Sequence, residues 1–191
     1  RLVCVHATSL SDEDVDSLAE AGCHIVHCPE SNLKLASGFC EVSKLNKAGI
    51  NIALGTDGCA SNNDLDMFSE MRTAALLAKA VAEDASALPA HQALEMATIN
   101  GAKALGLENV IGSLEAGKYA DITAINLDSL NSIPLYNPVS HLVYSTQASQ
   151  VSHVWCAGKL LLNEGNFTKL DSEAIKSDSA KWQAILADAD Q

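Results

Sequence analysis

Residues 50–58 read INIALGTDG, a continuous apolar run that ends in a polar, glycine-bounded turn. The run has no apolar–polar alternation, as expected for a strand covered on both faces, and it predicts a buried strand over 50–55. Similar runs predict strands at 2–6 and 23–28, and helical patterns separate the three strands. This alternation favours a parallel sheet in an α/β fold. Because a closed eight-stranded barrel needs about 250 residues, an arc of a barrel and a small open sheet both remain open.

By its sequence pattern, the rest of the chain divides into a helical part, a strand-rich part and a polar tail. The pattern predicts helices that cover about 12–21, 41–48, 64–81 and 89–105, with a loop from Pro29 to the second of them. Beyond these helices, the pattern predicts strands at 119–127, 151–157 and 159–163, and a polar helix at 172–187. We therefore predict three regions, which span residues 1–106, 107–170 and 171–191.

Composition limits the classes of partner. The 191 residues carry a formal net charge of −12, which argues against binding to nucleic acid or to an anionic membrane. No apolar run approaches the roughly 18 residues that span a bilayer, so we expect a soluble protein. The six cysteines form no C-x-x-C pair and are typical of reduced thiols, which predicts a cytoplasmic location. The chain opens at Arg1 with a strand, and we expect that an N-terminal part precedes it.

A chemically reactive side chain follows each of the three predicted strands: His6, His27 and Asp57. The carboxyl ends of parallel strands meet at one edge of the sheet, where active sites collect. A carboxylate and imidazoles at that edge can ligate a divalent metal, which lowers the pKa of bound water to about 7. The alternative is that the histidines are packed structurally and that the aspartate forms a turn. A catalytic zinc usually has three protein ligands, and Asp57 is the one convincing ligand here.

Several distinctive motifs follow one another along the chain: HCPESNLKLASG at 27–38, LGTDG at 54–58, SNNDLDM at 61–67, ATINGA at 97–102, IGSLEAGKYAD at 111–121 and VWCAGK at 154–159. In this order, they resemble the metal-dependent amidohydrolase superfamily. The similarity is greatest to the branch of the 5-methylthioadenosine/S-adenosylhomocysteine deaminases, which includes proteins labelled as chlorohydrolases of the atrazine type. The resemblance covers about residues 1–171.

The resemblance implies a fold. Members of this superfamily form a distorted (β/α)8 barrel with a small β-sandwich built from both ends of the chain. By position, the three predicted strands would be barrel strands six, seven and eight. The strands predicted within 119–163 would be the C-terminal share of the sandwich.

The resemblance also implies roles for five residues. Asp57 matches the aspartate that binds the metal and helps to deprotonate the attacking water, and His6 matches the histidine that contacts this water and stabilises charge at the attacked carbon. His27, Ser31 and Asn32 lie at the mouth of the barrel, where a supporting or substrate-binding role is expected. The implied metal is Zn²⁺, with Fe²⁺ or Mn²⁺ as alternatives.

The expected activity is hydrolytic deamination of an adenine nucleoside, a small-molecule substrate, by the intact protein. In relatives, the H-x-H pair, a histidine ligand and a glutamate proton donor lie upstream of the position of Arg1, so the 191 residues alone are expected to be inactive. We also expect a homo-oligomer or association with the missing half. The alternatives are a triazine or guanine amino- or chlorohydrolase, a non-catalytic truncated paralogue, and an α/β domain in which His6 and Asp57 are structural.

Overall fold

The computed structural model describes residues 2–189. Its first sheet has three parallel strands in chain order, β1 (Val3–Val5), β2 (His24–His27) and β3 (Asn51–Leu54). Ile25 of β2 pairs in register with Cys4 on one side and with Ile52 on the other. The sequence therefore predicted the strands and their parallel arrangement correctly. As a result, the three carboxyl ends lie at one edge of the sheet.

Six helices accompany this sheet. Ser11 caps the first of them, since its hydroxyl accepts a hydrogen bond from the backbone of Asp14 and the Asp14 carboxylate accepts one from the backbone of Ser11. The helices are α1 (Asp12–Glu20), α2 (Pro29–Lys34), α3 (Val42–Lys47), α4 (Met67–Ala82), α5 (Ala90–Met96) and α6 (Ile99–Leu105).

The main core lies between the sheet and these helices. Ile25 and Ile52, at the centre of β2 and β3, are fully buried against side chains that include Met71 of α4 and Met96 of α5. Burial of one such side chain stabilises the fold by about 1.5–3 kcal/mol. By contrast, Val3 and Val5 on the edge strand β1 remain exposed. The core therefore fixes β2 and β3 most firmly.

The second sheet is antiparallel, with strand order β4 (Ile122–Ile125), β5 (Val151–Cys156), β6 (Lys159–Asn163) and β7 (Asn166–Phe167). Helix α7 (Pro138–Tyr144) lies between β4 and β5 in the chain and packs against α4 and α5. Its Val143 is fully buried in the main core. Part of the region predicted at 107–170 therefore packs with the first region, and the three-region division stays a prediction.

The last helix, α8 (Ser172–Ala189), matches the polar helix predicted at 172–187. Its larger apolar side chains, among them Ile175 and Trp182, are exposed. No helix within residues 2–189 combines the length and the apolar character that crossing a membrane requires.

Three details differ from the sequence prediction. The segment after Pro29 was predicted as a loop, but it begins with the short helix α2. The single helix predicted at 89–105 is wrong, because Thr98 leaves the helical conformation (φ −131°, ψ −97°) and separates α5 from α6. Helix α7 was not predicted, although Asn137 caps it and Pro138 occupies its first turn.

Gly112 provides a test of the packing between α6 and the segment that precedes β4. A Cβ at this residue (φ +89°) would lie 2.7 Å from the Ala102 Cβ and 3.0 Å from the Ile99 Cα. At Gly117 (φ +97°), an added Cβ meets nothing within 4 Å. Both substitutions strain the backbone, but only one creates a clash. We expect Gly112→Ala to lower the free energy of unfolding by about 1–3 kcal/mol more than Gly117→Ala does. Urea denaturation measures both, and equal losses would contradict the packing described here.

Candidate active site

His6 and Asp57 lie just beyond the carboxyl ends of β1 and β3, at the same edge of the sheet. Both have left-handed backbone conformations, with φ of 70° and 61°. The backbone N–H of His6 still bonds to the carbonyl of Val26, at 3.0 Å, so the turn begins directly at the end of the strand pairing. Such conformations are costly for residues other than glycine and are concentrated at functional sites.

The carboxylate of Asp57 is held by two hydroxyl groups, one from helix α2 and one from the loop after β3. Ser31 Oγ and Ser61 Oγ both donate to Asp57 Oδ2, each at 2.7 Å. His6 Nε2 lies 3.9 Å from the same oxygen. The hydrogen bonds from Ser31 and Ser61 lower the pKa of Asp57, with smaller contributions from the Gly58 backbone and from His6. About a third of the side chain is exposed, so an anionic carboxylate faces outward at this edge.

Asn32 determines the orientation of the His6 ring. His6 Nδ1 lies 2.8 Å from Asn32 Oδ1, and Asn32 is buried. Because an amide oxygen only accepts hydrogen bonds, Nδ1 carries the proton in this arrangement. The lone pair of the neutral ring is then on Nε2, which faces Asp57.

His27 lies deeper than His6. Its side chain is only 1% exposed at the end of the central strand β2, and its Nδ1 has no hydrogen-bond partner among residues 2–189. Burial, followed by the charge of His6, lowers the pKa of His27 to about 4. His27 is therefore neutral near pH 7.

The structure thus connects four of the five predicted site residues by hydrogen bonds or close approach: His6, Asn32, Asp57 and Ser31. The polar groups of Ser31 and Asn32 bond to Asp57 and His6, which favours a supporting role for both residues. Their contact with substrate, and that of His27, stays a prediction.

The donor atoms present fit one ligand of a metal centre. Within residues 2–189 there is no group of three or more His, Cys, Asp or Glu that would hold a metal ion. The outward-facing carboxylate of Asp57 is a donor of the type that zinc accepts, with the imidazole of His6 beside it.

Sequence reasoning assigned no role to three neighbouring residues, Ser61, Asn62 and Glu70. Glu70 is fully buried on α4, where Asn62 Nδ2 donates to its carboxyl group. Burial raises the pKa of Glu70 to about 7, against the opposing effect of a hydrogen bond from the Glu30 backbone. One signal was available, since Glu70 lies on the apolar stripe of α4, three residues after Met67 and four before Ala74.

A parallel α/β sheet with a carboxylate and an imidazole at the carboxyl ends of its strands is typical of metal-dependent hydrolases on barrel folds. The chain belongs to the amidohydrolase family, whose model matches residues 1–161.

Curated relatives of this chain are 5-methylthioadenosine/S-adenosylhomocysteine deaminases. The protein from Teredinibacter turnerae is 53% identical over 96% of this chain and 41% of its own length. The protein from Saccharophagus degradans is 52% identical over 95% of this chain and 41% of its own length. The chain therefore spans about two-fifths of the length of these relatives.

Two solved structures that superimpose on this chain contain zinc. An adenosine deaminase from Xanthomonas campestris with bound zinc superimposes with a TM-score of 0.96 at 50% identity, over 98% of this chain and 43% of that one. An atrazine chlorohydrolase from Arthrobacter aurescens, complexed with zinc, gives a TM-score of 0.89 at 28% identity, over 95% and 40% of the two chains. The sequence-based assignment to the superfamily is thus confirmed.

The burial of His27 predicts an unusual titration. Because its pKa in the folded protein, about 4, lies below the unfolded value of 6.5, the unfolded chain binds more protons in this window. The contribution of His27 to stability is therefore present above pH 6.5 and is lost as the pH falls through the folded pKa. We expect the ring NMR signals of His27 to stay at their neutral positions down to about pH 5.

A direct measurement on the ring is needed because Glu70 acts in the opposite sense. Its raised pKa gives a stability contribution that is present below pH 4.5 and is lost as the pH rises through about 7. A profile of stability against pH would mix the two groups. A His27 ring that titrated near pH 6.5 would contradict its placement in a dry environment.

Proposed function

We propose that the intact protein, of which this chain forms a part, is a metal-dependent hydrolytic deaminase of adenine nucleosides of the 5-methylthioadenosine/S-adenosylhomocysteine type. The observation that carries the proposal is the anionic Asp57 carboxylate, which faces outward with Oδ2 3.9 Å from His6 Nε2 at one edge of the sheet. The substrate class rests on the names of the relatives, which are 53% and 52% identical to this chain.

Asp57 and His6 would share the work on the attacking water. Asp57 would hold the metal and accept a proton from the water, because its lowered pKa keeps it ionised at neutral pH. His6 would orient the water through Nε2 and stabilise charge at the attacked ring carbon. Ser31 and Ser61 would keep the Asp57 carboxylate fixed while its charge changes. In the balanced reaction, water replaces the exocyclic amino group and ammonia leaves.

The metal is proposed to be zinc, which is bound in the related adenosine deaminase and chlorohydrolase structures; Fe²⁺ and Mn²⁺ remain alternatives. When bound, the ion would lower the pKa of the attacking water. Asp57 would supply one ligand, and the other ligands and the glutamate proton donor would come from a segment upstream of Arg1. The 191 residues alone would then be inactive.

The same proposal extends to the architecture. β1, β2 and β3 would be strands six to eight of a (β/α)8 barrel, and the antiparallel sheet would be the C-terminal share of a β-sandwich. The parallel sheet within 1–106, the antiparallel sheet within 107–170 and the helix within 171–191 support three regions. The exposed apolar residues of the edge strand β1 support association with the missing half or with a second copy.

The chemistry of the surface and of the thiols supports the other expected properties. A net charge of −12 favours a small-molecule substrate over nucleic acid or an anionic membrane. All six cysteines are free thiols, as expected in a reducing compartment, which supports the predicted cytoplasmic location.

Asp57→Asn in the intact protein tests the ligand assignment. Partners that only support a ligand are worth about 10–100-fold in metal affinity, so we expect the loss of the ligand itself to weaken zinc binding by more than about 100-fold, with a matching loss of turnover. Asp16→Asn, the same chemical change on an exposed face of α1, is the control. Zinc content and turnover at the level of the control would show that Asp57 is structural.

The substrate class is tested separately with the wild-type intact protein. With 5-methylthioadenosine or S-adenosylhomocysteine, we expect ammonia release together with the loss of adenine absorbance. Chloride release from a chlorinated triazine, or ammonia release from guanine alone, would favour the alternative hydrolases. The lower identity to the chlorohydrolase, 28%, disfavours that outcome. If none of these substrates reacted, a non-catalytic paralogue would be favoured.

A further inference from the structure

Glu70 connects helix α2 with the loop after β3, the two segments that approach Asp57. This residue of α4 is completely buried, and each of its carboxyl oxygens accepts a hydrogen bond. Asn62 Nδ2, from the loop after β3, donates to Oε1 at 2.5 Å. The backbone N–H of Glu30, at the start of α2, donates to Oε2 over a longer distance of 3.4 Å.

The contact with Glu30 compensates for a weak start of α2. Helix N-termini leave backbone N–H groups without partners, which a side chain of the N-cap residue usually satisfies. In α2, the N-cap residue Cys28 makes no such bond, and Pro29 has no N–H. The next free donor is the N–H of Glu30, and Glu70 accepts it from another element of the fold. Glu70 is therefore a remote cap of α2.

The side chain of Glu30 strengthens the attachment of α2 to α4. Its Oε1 accepts hydrogen bonds from Ser69 Oγ at 2.5 Å and from Thr73 Oγ1 at 2.9 Å, one helical turn apart on α4. The start of α2 is thus bound to α4 through both its backbone and a side chain. This double attachment leaves the first turn of α2 little freedom to move.

Helix α2 and the loop after β3, both held by Glu70, carry the residues that hold Asp57 and His6. Ser31 and Asn32 directly follow Glu30, and they bond to Asp57 and His6 respectively. Ser61 directly precedes Asn62 and also donates to Asp57. Both serine hydroxyls are therefore one residue away from a contact with the Glu70 carboxyl group.

We propose that Glu70 is a positioning residue for the proposed deamination: its buried carboxyl group fixes the start of α2, which carries Ser31, and the loop of Ser61, and through them the carboxylate of Asp57. This inference rests on the proposed function. It assigns Glu70 no contact with substrate or metal, and its effect passes through the serine hydroxyls.

Glu70→Gln in the intact protein removes one of the two contacts with little change in volume. A glutamine oxygen can still accept from Asn62, but its amide nitrogen cannot accept from the N–H of Glu30. We expect the zinc dissociation constant, from competition with a chelator, to rise about 10–100-fold, and kcat to fall by a similar factor with KM changed less than about threefold. Glu95→Gln on the surface of α5 is the matched control and should leave the zinc dissociation constant, kcat and KM unchanged.

A double-mutant cycle separates positioning from general destabilisation. If Glu70 acts through Ser31, then Ser31→Ala should weaken zinc binding about tenfold in the wild type but no more than about twofold in the Glu70→Gln background. The inference would be overturned if Ser31→Ala weakened zinc binding by the same factor in both backgrounds. It would also be overturned if Glu70→Gln or Ser31→Ala alone left the zinc affinity within about twofold of wild type. If Glu70→Gln does not fold, Asn62→Ala decides in its place, with Ser61→Ala as the second substitution.

The outcomes also distinguish the inference from the proposed function. A wild-type protein that binds zinc but deaminates no adenine nucleoside contradicts the function alone, because the cycle on zinc affinity still measures the role of Glu70. A wild-type protein that binds none of Zn²⁺, Fe²⁺ and Mn²⁺ overturns both.

Discussion

The candidate site depends on the pair of hydrogen bonds from Ser31 and Ser61 to one oxygen of Asp57. A partly exposed carboxylate on a left-handed residue would otherwise sample several orientations. The two bonds restrict it to one orientation and favour its ionised form. Because the donors come from segments that follow different strands, α2 after β2 and the loop after β3, this geometry exists only when the parallel sheet is paired in register.

Buried residues of the strands and of α4 hold the segments that make this contact. The buried centres of β2 and β3 fix the strand ends, and Gly55 permits their close approach, since a Cβ there would lie 2.9 Å from Val26 Cγ1. Behind the site, the Glu70 carboxyl group accepts hydrogen bonds from the start of α2 and from the loop after β3. In the same way, buried Asn32 orients the ring of His6 through a hydrogen bond. His6 and Asp57 each have a buried hydrogen-bond partner, Asn32 and Ser31, and such partners keep functional groups in place.

The sequence predicted the elements that local patterns determine. Apolar runs located the three parallel strands, and the polar residues at their ends gave His6 and Asp57 as candidate site residues, which lie close together in the structure. Helix α2 was not predicted, because the partner that caps this helix is Glu70, 40 residues beyond Glu30 in the chain. No local pattern records such a contact. Helices α5 and α6 were predicted as one helix, because Thr98 lies within an otherwise continuous helical pattern. Helix α7, by contrast, was predictable from the sequence, because Asn137 and Pro138 are local signals for a helix start.

The most direct test of the account is the position of zinc in a crystal of the intact protein, located by anomalous scattering at the zinc edge. We expect an anomalous peak about 2.0–2.2 Å from a carboxylate oxygen of Asp57, with the hydroxyls of Ser31 and Ser61 still bonded to that carboxylate. A zinc ion bound elsewhere, with Asp57 engaged only by the two serines, would contradict it.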